Sequence, residues 1–192
     1  MQIVCDVDGV LADLHTEWLA RYNARYDDRL TVDQVTSWSW HEHVSPKCGS
    51  AIYEILLDED LYDPILPVAG AIAGIARLRA LGHTIVFATT CSFGMADQKA
   101  RWLQRFHFCE VQAHGSLPPD FVVTAQKHLL AGDLLIDDGP HNVRQWIMAT
   151  QRRAIMLRMP YNEGLAMPSM FWPWCERPAD WEEIVARVEA LS

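Results

Sequence analysis

The chain has 192 residues, half of them apolar and 21% charged, and its formal net charge is −9. This length predicts one domain with a sizeable core and room for an inserted subdomain. The acidic balance argues against a protein that coats duplex nucleic acid, because such proteins present a basic face to the phosphates. A small anionic substrate held by a metal ion and a few local cations is compatible with this charge.

Cysteine usage and hydropathy indicate the compartment. The cysteines are odd in number and include no Cys-x-x-Cys pair, which favours a reducing interior: Cys5, Cys48, Cys91, Cys109 and Cys175. The first residues lack the basic and apolar regions of a signal peptide. No apolar run approaches the roughly 20 residues of a membrane-spanning helix. We therefore expect a cytoplasmic protein that does not associate with a membrane.

The first third of the chain predicts a strand, a helix and then a segment of different character. Residues 1–8 are typical of a buried strand, and 14–26 carry an apolar stripe at helical spacing. Residues 31–65 are rich in Ser, His, Trp and acidic residues. We interpret 31–65 as a small, mostly helical cap, inserted after the first strand into a core formed by residues 1–30 and 66–192.

Beyond the insertion, strands and helices alternate to the end of the chain. The predicted strands are 84–88, 121–123, 134–136 and 154–157, and the predicted helices are 69–81, 96–106, 142–149 and 180–191. This alternation predicts a doubly wound, Rossmann-like α/β fold, with a parallel sheet between two layers of helices. Ligands of such sheets bind beyond the carboxyl ends of the strands.

Polar side chains cluster at four of the predicted strand ends. They comprise two pairs of acids, a pair of hydroxyls and a lysine: Asp6 and Asp8, Asp137 and Asp138, Thr89 and Thr90, and Lys127. Carboxylates placed close together repel each other unless a cation or a shared proton relieves them. A Mg²⁺ ion with a phosphate substrate would relieve this repulsion, because Mg²⁺ prefers oxygen ligands.

Phosphoryl transfer needs side chains of these kinds. One carboxylate can attack phosphorus to form an aspartyl-phosphate, while a second acid protonates the leaving oxygen and later activates water. Hydroxyls and a lysine can hold the phosphoryl oxygens, where charge develops. Each residue also has a structural interpretation: Thr89 and Thr90 as β-formers, Lys127 as a solvated lysine, Asp137 and Asp138 as a helix cap. Their joint occurrence at strand ends favours the catalytic interpretation.

The motifs at these positions resemble those of the haloacid dehalogenase superfamily. The matching stretches are Asp6-Val7-Asp8-Gly9-Val10, Thr89, Lys127 and Leu134-Leu135-Ile136-Asp137-Asp138. Within that superfamily the chain is similar to the 5′(3′)-deoxyribonucleotidases. The similarity lies in residues 6–13 and in the spacing between Lys127 and Asp138. The resemblance covers residues 1–140 and implies the fold of that superfamily.

For the first motif, the resemblance implies the two chemical roles of the reaction. Asp6 would be the nucleophile and a metal ligand, and Asp8 would be the general acid/base and offer its main-chain carbonyl to Mg²⁺. Relatives that cleave carbon–halogen bonds lack the second acid, because no alkoxide leaving group needs a proton there. Asp8 therefore favours cleavage of a phosphate ester over dehalogenation.

For the other motifs, the resemblance implies substrate and metal binding. Thr89 would bind the phosphoryl group, with Thr90 where relatives often have serine, and Lys127 would neutralise the aspartyl-phosphate. Asp138 would bind Mg²⁺, with Asp137 beside it as a supporting or an alternate ligand. The sequence leaves open which of these two carboxylates touches the metal.

The insertion bears on the choice of substrate. Trp38 and Trp40 stand about where the deoxyribonucleotidases place the aromatic residues that stack on the base. Such stacking contributes about 1–3 kcal/mol per base. The alternative is that both rings form the core of the cap itself, since a helical unit of this size needs large apolar residues.

Together these features predict a Mg²⁺-dependent phosphatase that hydrolyses deoxyribonucleoside monophosphates through an aspartyl-phosphate. Its partner would be a small phosphate ester, not a nucleic acid polymer or a membrane. The nearest alternative is the same fold acting on another phosphate ester, such as a sugar phosphate. A non-catalytic protein that accepts phosphate or binds nucleotides is a second. The aromatic segment at 171–174 would cover a sheet edge or form a homodimer contact.

Overall fold

A single parallel sheet organises the computed structural model, which describes residues 1–92, 94–110, 116–164, 169–171 and 173–191. In chain order the strands are β1 (Gln2–Cys5), β2 (Thr84–Thr89), β3 (Phe121–Val123), β4 (Leu134–Asp137), β5 (Arg153–Met156) and β6 (Cys175–Glu176). Across the sheet they follow the order β3-β2-β1-β4-β5-β6, and every neighbouring pair is parallel. The predicted doubly wound α/β fold is confirmed.

Helices connect the strands and cover the sheet. The α-helices of the described residues are α1 (Leu14–Tyr26), α2 (Ala71–Ala80), α3 (Met95–Arg105), α4 (Pro140–Thr150), α5 (Pro160–Glu163) and α6 (Trp181–Ala190). The long helices lie where the apolar periodicity predicts them. The sequence pattern missed α5 and β6, because elements of four and two residues are too short to show a period.

Both faces of the sheet are buried, as expected for parallel strands. Successive side chains of a strand point to opposite faces. Ile3 accordingly packs in one cluster with Trp102 of α3 and Trp181 of α6, whereas Val4 packs in another with Trp146 of α4. Each such buried side chain contributes about 1.5–3 kcal/mol or more. The central strand β1 is thereby fixed from both sides.

The chain order reverses across β1, which pairs with β2 on one side and with β4 on the other. Such a reversal leaves a crevice beyond the carboxyl ends of the strands. β1 ends at Cys5 and not at residue 8, because a tight loop begins there. In this loop Leu11 and Ala12 both donate backbone hydrogen bonds to the Val7 carbonyl. The loop opens into the crevice.

The insertion folds as short 3₁₀ helices packed on α1. They span Val32–Gln34, Trp40–Glu42 and Gly49–Leu57. The Trp18 indole donates a 2.8 Å hydrogen bond to the Ile52 carbonyl, and Arg21 forms an ion pair with Asp58 at 3.1 Å. These contacts join the insertion to a helix of the core. The division into a core and a separate cap stays a prediction.

The aromatic segment at 171–174 lies near the β5–β6 edge of the sheet. Phe171 is buried with Ala154 and Cys175, and Trp174 exposes 40% of its surface. Trp172 lies outside the described residues. The homodimer contact stays a prediction. Among the described residues, no helix combines the length and the apolar character that a membrane span requires.

Candidate active site

The loop after β1 brings the first acids to the end of β4. The Asp6 N–H donates to the Ile136 carbonyl at 2.8 Å, which continues the β1–β4 ladder. Gly9 turns the chain at a φ of +73°, and a Cβ atom on it would lie 2.1 Å from Asp138 Oδ2. Glycine is therefore required where this loop approaches Asp138.

A buried lysine joins two of the carboxylates. Lys127 begins the 3₁₀ turn Lys127–Leu129 after β3 and exposes 3% of its surface, so it is not a solvated lysine. Its Nζ lies 2.8 Å from Asp6 Oδ2 and 2.6 Å from Asp137 Oδ2. Burial lowers the pKa of Lys127, but the two carboxylates outweigh burial and raise it above its usual value. Lys127 is therefore charged at neutral pH.

Asp137 and Asp138 differ in how their oxygens are used. Asp137 Oδ2 accepts from Lys127, and Oδ1 accepts from the Gly139 N–H at 2.7 Å and from Asn142 Nδ2 at 3.1 Å. Asp138 Oδ2 accepts from the Tyr161 hydroxyl. Asp137 thus has both oxygens engaged by neighbouring donors, which ties it to Lys127 and to the start of α4.

The carboxylates of Asp6, Asp137 and Asp138 could hold a cation. One oxygen of each lies within 4.8 Å of the others. Burial raises the pKa of Asp6 to about 6, with Asp137 adding to the rise and Lys127 opposing it. Burial and the Asp6 carboxylate likewise raise the pKa of Asp138 well above its ordinary value. Lys127 supplies one positive charge against three buried carboxylates, so this oxygen donor set fits a divalent cation such as Mg²⁺.

The two threonines at the end of β2 both line the cavity that contains Asp6. Thr89 is fully buried, and its Oγ1 accepts a 2.8 Å hydrogen bond from Lys99 Nζ. Thr90 is exposed, and its hydroxyl donates to the Thr124 carbonyl at 3.2 Å. Both hydroxyls reach the site, and the one on Thr90 is the more accessible to a ligand.

Lys99 is a site residue that the sequence interpretation missed. It belongs to α3, exposes 3% of its surface and lies 2.5 Å from Asp8 Oδ2. Its other donors reach Thr89 Oγ1 and, at 3.0 Å, the Thr90 carbonyl. All three ammonium hydrogens therefore have acceptors. Helical spacing offered a signal, since Lys99 lies on the apolar stripe of α3 between Met95 and Trp102, where an unpaired lysine would be costly.

Tyr62 is a second residue that the sequence did not reveal. It lies at the end of the insertion, is almost fully buried, and its hydroxyl donates to Asp8 Oδ1. Lys99 Nζ also lies 5.7 Å from the centre of the Tyr62 ring. Because Lys99 holds Oδ2, both oxygens of Asp8 are restrained. The carboxylate of Asp8 is thus kept at one orientation beside the cavity.

The cavity at the strand ends has a volume of about 400 Å³. The acids, threonines and Lys127 line one part of it, and aromatic rings of the insertion line another. A second cavity of about 220 Å³ is mainly apolar and shares four lining residues with the first, Asp8, Leu14, Tyr53 and Leu56. A substrate whose phosphate reaches Asp6 has two directions in which its leaving group can extend past Asp8.

The two insertion tryptophans reach the cavity in different ways. Trp40 exposes 2% of its surface and stacks on His15 at a centroid distance of 4.8 Å. Burial lowers the pKa of His15 to about 4, so this ring is neutral at pH 7. Trp38 exposes 37% of its surface and packs edge-on against Tyr161. Trp40 also belongs to the apolar cluster of the insertion, whereas Trp38 presents free ring surface.

Family comparison places this site in a known context. Residues 1–190 match the family model described as 5′ nucleotidase, deoxy (Pyrimidine), cytosolic type C protein. A 5′(3′)-deoxyribonucleotidase of Clostridium acetobutylicum is 27% identical over 188 residues, covering 97% of this chain and 94% of the relative. A 5′(3′)-deoxyribonucleotidase of Bacillus subtilis is 26% identical over 180 residues, covering 91% and 96%.

Solved structures agree on the fold. A haloacid dehalogenase family hydrolase from Deinococcus radiodurans, with bound phosphate and sodium, has a TM-score of 0.63 at 15% identity, covering 98% of this chain and 95% of that one. A haloacid dehalogenase-like hydrolase from Xanthomonas campestris has a TM-score of 0.60 at 15% identity, covering 100% and 95%. The family match makes the chain a phosphoric monoester hydrolase of the nucleotidase type. The chain has the fold of these haloacid dehalogenase hydrolases and belongs to the family described as 5′ nucleotidase, deoxy (Pyrimidine), cytosolic type C protein.

Proposed function

We propose that this nucleotidase hydrolyses deoxyribonucleoside monophosphates in a Mg²⁺-dependent reaction through an aspartyl-phosphate on Asp6. The arrangement of Asp6 and Asp8 is the observation that carries the proposal. Asp6 lies 2.8 Å from Lys127, and Asp8, two residues later, is restrained by Lys99 and Tyr62 beside the same cavity. This is the pairing of nucleophile and acid that phosphate ester cleavage requires.

In the first step, a carboxylate oxygen of Asp6 attacks phosphorus, and the bond from phosphorus to the leaving oxygen breaks. Protonated Asp8 gives its proton to that oxygen, so the nucleoside leaves as an alcohol. Lys127, 2.8 Å from Asp6, offsets the negative charge of the aspartyl-phosphate. Thr89 and Thr90 line the same cavity, and the hydroxyl of the exposed Thr90 would donate to a phosphoryl oxygen in place of the Thr124 carbonyl.

In the second step, Asp8 acts as a base. It removes a proton from a water molecule, whose oxygen attacks phosphorus and displaces the Asp6 carboxylate, releasing inorganic phosphate. Asp8 ends the cycle protonated, as it began. Tyr62 and Lys99 donate to the two oxygens of Asp8 and so orient the carboxylate for this step.

Asp6, Asp138 and the main-chain carbonyl of Asp8 would hold the Mg²⁺. When bound, the ion would neutralise phosphoryl oxygens and lower the repulsion between substrate and carboxylates. We assign direct ligation to Asp138 because the oxygens of Asp137 already accept from Lys127, Gly139 and Asn142. Asp137 then has the supporting task of orienting Lys127.

Trp38 and Trp40, the insertion tryptophans that line the cavity, would recognise the leaving group. The exposed ring surface of Trp38 supports stacking of a base, whereas Trp40 is buried and stacks on His15. The burial of Trp40 also favours a second candidate, in which another small phosphate ester, such as a sugar phosphate, is the substrate. The apolar second cavity beside Asp8 gives such a leaving group an alternative place.

A reducing, cytoplasmic compartment is also part of the proposal. Every cysteine of the chain is free in the structure, which supports a location where disulfides do not form. The substrates of a nucleotidase are small molecules, so we expect neither a nucleic acid polymer nor a membrane as partner.

Phosphate release from a panel of substrates tests the proposal. Deoxyribonucleoside, ribonucleoside and sugar monophosphates would be compared in Mg²⁺ and in EDTA, for wild type and Asp6→Asn. We expect Mg²⁺-dependent release from deoxyribonucleotides, reduced by at least about 10⁴-fold in Asp6→Asn because the nucleophile is lost. Asp33→Asn, a change at an exposed acid of the insertion, is the matched control and should act as wild type.

Each contrary outcome removes a different part of the proposal. Release from sugar phosphates alone would exclude the deoxyribonucleotide substrate and keep the two-step reaction. Release that is equal in EDTA would exclude the role of Mg²⁺. Activity retained in Asp6→Asn would exclude Asp6 as nucleophile.

A further inference from the structure

Asp138 is held in place by a short segment far along the chain. α5 follows β5 and contains the sequence Pro160-Tyr161-Asn162. The Tyr161 hydroxyl donates to Asp138 Oδ2, and Asn162 Nδ2 donates to the Asp138 main-chain carbonyl at 2.9 Å. Adjacent residues of one helix therefore restrain both the side chain and the backbone of the same aspartate.

The segment that holds Asp138 is itself fixed. Asn162 is fully buried, and its Nδ2 also donates to the Leu157 carbonyl at 2.8 Å. Its Oδ1 accepts from the Met159 N–H at 3.0 Å and from Arg177 at 2.8 Å. Pro160 begins the helix, where the fixed φ of proline is compatible with a helical start. A side-chain amide with all its bonds made has little freedom to shift.

Aromatic residues surround the ring of Tyr161. The ring is fully buried, with His15, Trp38 and Trp40 at centroid distances of 4.7, 5.4 and 5.5 Å. His15 Nδ1 also lies 3.3 Å from the Tyr161 hydroxyl. Two of these rings come from the insertion, so the insertion forms the wall behind the residue that contacts Asp138.

We propose that Tyr161 is a positioning residue for the metal ligand Asp138, and that Trp38 and Trp40 couple the insertion to the metal site by holding the Tyr161 ring. The proposal rests on the proposed function in one respect, the assignment of Asp138 as ligand. A ligand held in its binding orientation loses less freedom when the ion arrives, and loss of such a supporting partner typically weakens metal affinity by about 10–100-fold.

The coupling gives the tryptophans a role besides stacking on a base. Between Gly9 on one side and Tyr161 on the other, Asp138 Oδ2 has a confined position. Removing a ring at position 38 leaves space beside Tyr161, so the hydroxyl can move away from the carboxylate. Metal affinity is then expected to respond to a residue that contacts no carboxylate of the site.

Mg²⁺ titration of the full chain by calorimetry tests the proposal without turnover. Tyr161→Phe removes only the hydroxyl, and we expect its Mg²⁺ Kd to rise by about 10-fold or more. Tyr26→Phe is the matched control, since Tyr26 packs in the same aromatic region against Tyr22; its Kd should stay within about 2-fold of wild type. In assays of Tyr161→Phe, the Mg²⁺ concentration for half-maximal rate should rise while kcat at saturating Mg²⁺ changes less.

A merely structural Tyr161 would lower thermal stability and leave the Mg²⁺ Kd of the folded protein unchanged, which would overturn the proposal. Trp38→Leu provides a second variant in case Tyr161→Phe does not fold, because position 38 is exposed. A Kd raised about 3-fold supports the coupling, and an unchanged Kd overturns it.

Failure of this inference is distinguishable from failure of the proposed function. Weakened Mg²⁺ binding in Tyr161→Phe, without phosphate release from any substrate by wild type, would keep the inference and exclude the reaction. Mg²⁺-dependent phosphate release with wild-type Mg²⁺ affinity in Tyr161→Phe would keep the reaction and exclude the inference.

Discussion

The strand-end acids and the insertion differ in what holds their side chains. At the strand ends, directional bonds fix each group: Lys127 bridges Asp6 and Asp137, and Lys99 holds Asp8. In the insertion, ring contacts dominate, as in the packing of Trp38 against Tyr161. Directional networks specify one geometry, whereas packed rings tolerate substitution as long as volume is kept.

This difference separates chemistry from selectivity. The sheet carries the groups that would act on phosphorus, so changes there should affect stability and kcat. Trp38 of the insertion carries the ring surface that would meet the leaving group, so at saturating Mg²⁺ its replacement should affect mainly KM. The next four expectations test the contrast, from the largest effect to the smallest.

Lys127→Met should produce the largest effect on stability. It leaves the buried carboxylates of Asp6 and Asp137 without their cation, and breaking a buried pair in this way costs about 3–5 kcal/mol. Urea unfolding in EDTA measures the loss. Lys47→Met, at an exposed lysine, should change stability by less than about 0.5 kcal/mol. Equal stability of the two variants would contradict a network that depends on Lys127.

Lys99→Gln should lower kcat by about 10²-fold while changing the KM of the phosphate ester by less than about 3-fold. The glutamine keeps a hydrogen-bond donor but removes the charge that holds Asp8 Oδ2 at 2.5 Å. Steady-state kinetics at saturating Mg²⁺ separates the two parameters. A rise in KM with unchanged kcat would mean that Lys99 binds substrate and does not orient Asp8.

The contribution of Asp6 to the stability of the metal-free protein should rise as the pH is lowered from 7 to about 4.5. Burial raises the pKa of Asp6 from 3.8 to about 6, so between these values the native state keeps a proton that the unfolded chain has lost. This contribution to the free energy of unfolding reaches about 2–3 kcal/mol. It is fully present below about pH 4 and is lost as the pH rises through 6. Burial of Asp138 acts in the same direction. Burial of His15 lowers its pKa to about 4 and acts in the opposite direction, so the Asp6 contribution is measured as a difference between variants.

Urea unfolding in EDTA at several pH values in this range, for wild type and Asp6→Asn, gives the dependence of stability on pH. On acidification Asp6→Asn should gain less stability than wild type, because one of the two carboxylates with a raised pKa is gone. Mg²⁺ should reduce this difference between wild type and Asp6→Asn, since the ion competes with the proton for the carboxylate. If the difference in stability between wild type and Asp6→Asn does not change in favour of wild type on acidification from pH 7 to 5, the burial of Asp6 as a protonated acid is contradicted.

Trp38→Leu should have the smallest effect, a rise in the KM of a deoxyribonucleotide of about 5–10-fold with little change in kcat. The ring offers about 1 kcal/mol of stacking at an exposed position. Kinetics at saturating Mg²⁺ removes any effect through the metal site. An unchanged KM would assign the base to the second cavity beside Asp8.

The sequence predicted those parts of the site that depend on local position. Asp6, Thr89, Lys127 and Asp138 each lie at or after the carboxyl end of a strand, and parallel strands bring these ends to one edge of the sheet. Lys99 was missed because its importance comes from the ion pair that α3 makes with Asp8. A lysine on an apolar helical stripe is a usable signal for such a pairing.

The contributions of Tyr62 and Tyr161 could not be predicted, because each meets its aspartate from a distant part of the chain. The choice between Asp137 and Asp138 likewise needed the side-chain contacts, since adjacent acids look alike in a sequence. Trp38 and Trp40 lie in the predicted insertion, but only their packing distinguishes the partly exposed ring of Trp38 from the buried ring of Trp40.

A burst experiment with Asp8→Asn tests the central claim, phosphorylation of Asp6, most directly. With p-nitrophenyl phosphate the leaving group needs no proton, so the first step can proceed while the second lacks its base. We expect one p-nitrophenolate per active site in a rapid burst, followed by slow turnover. Mass spectrometry after acid quench should find one phosphoryl group on the peptide that contains Asp6. A variant that shows neither burst nor phosphopeptide, or a burst that persists when Asp6 is also changed to Asn, would contradict the account.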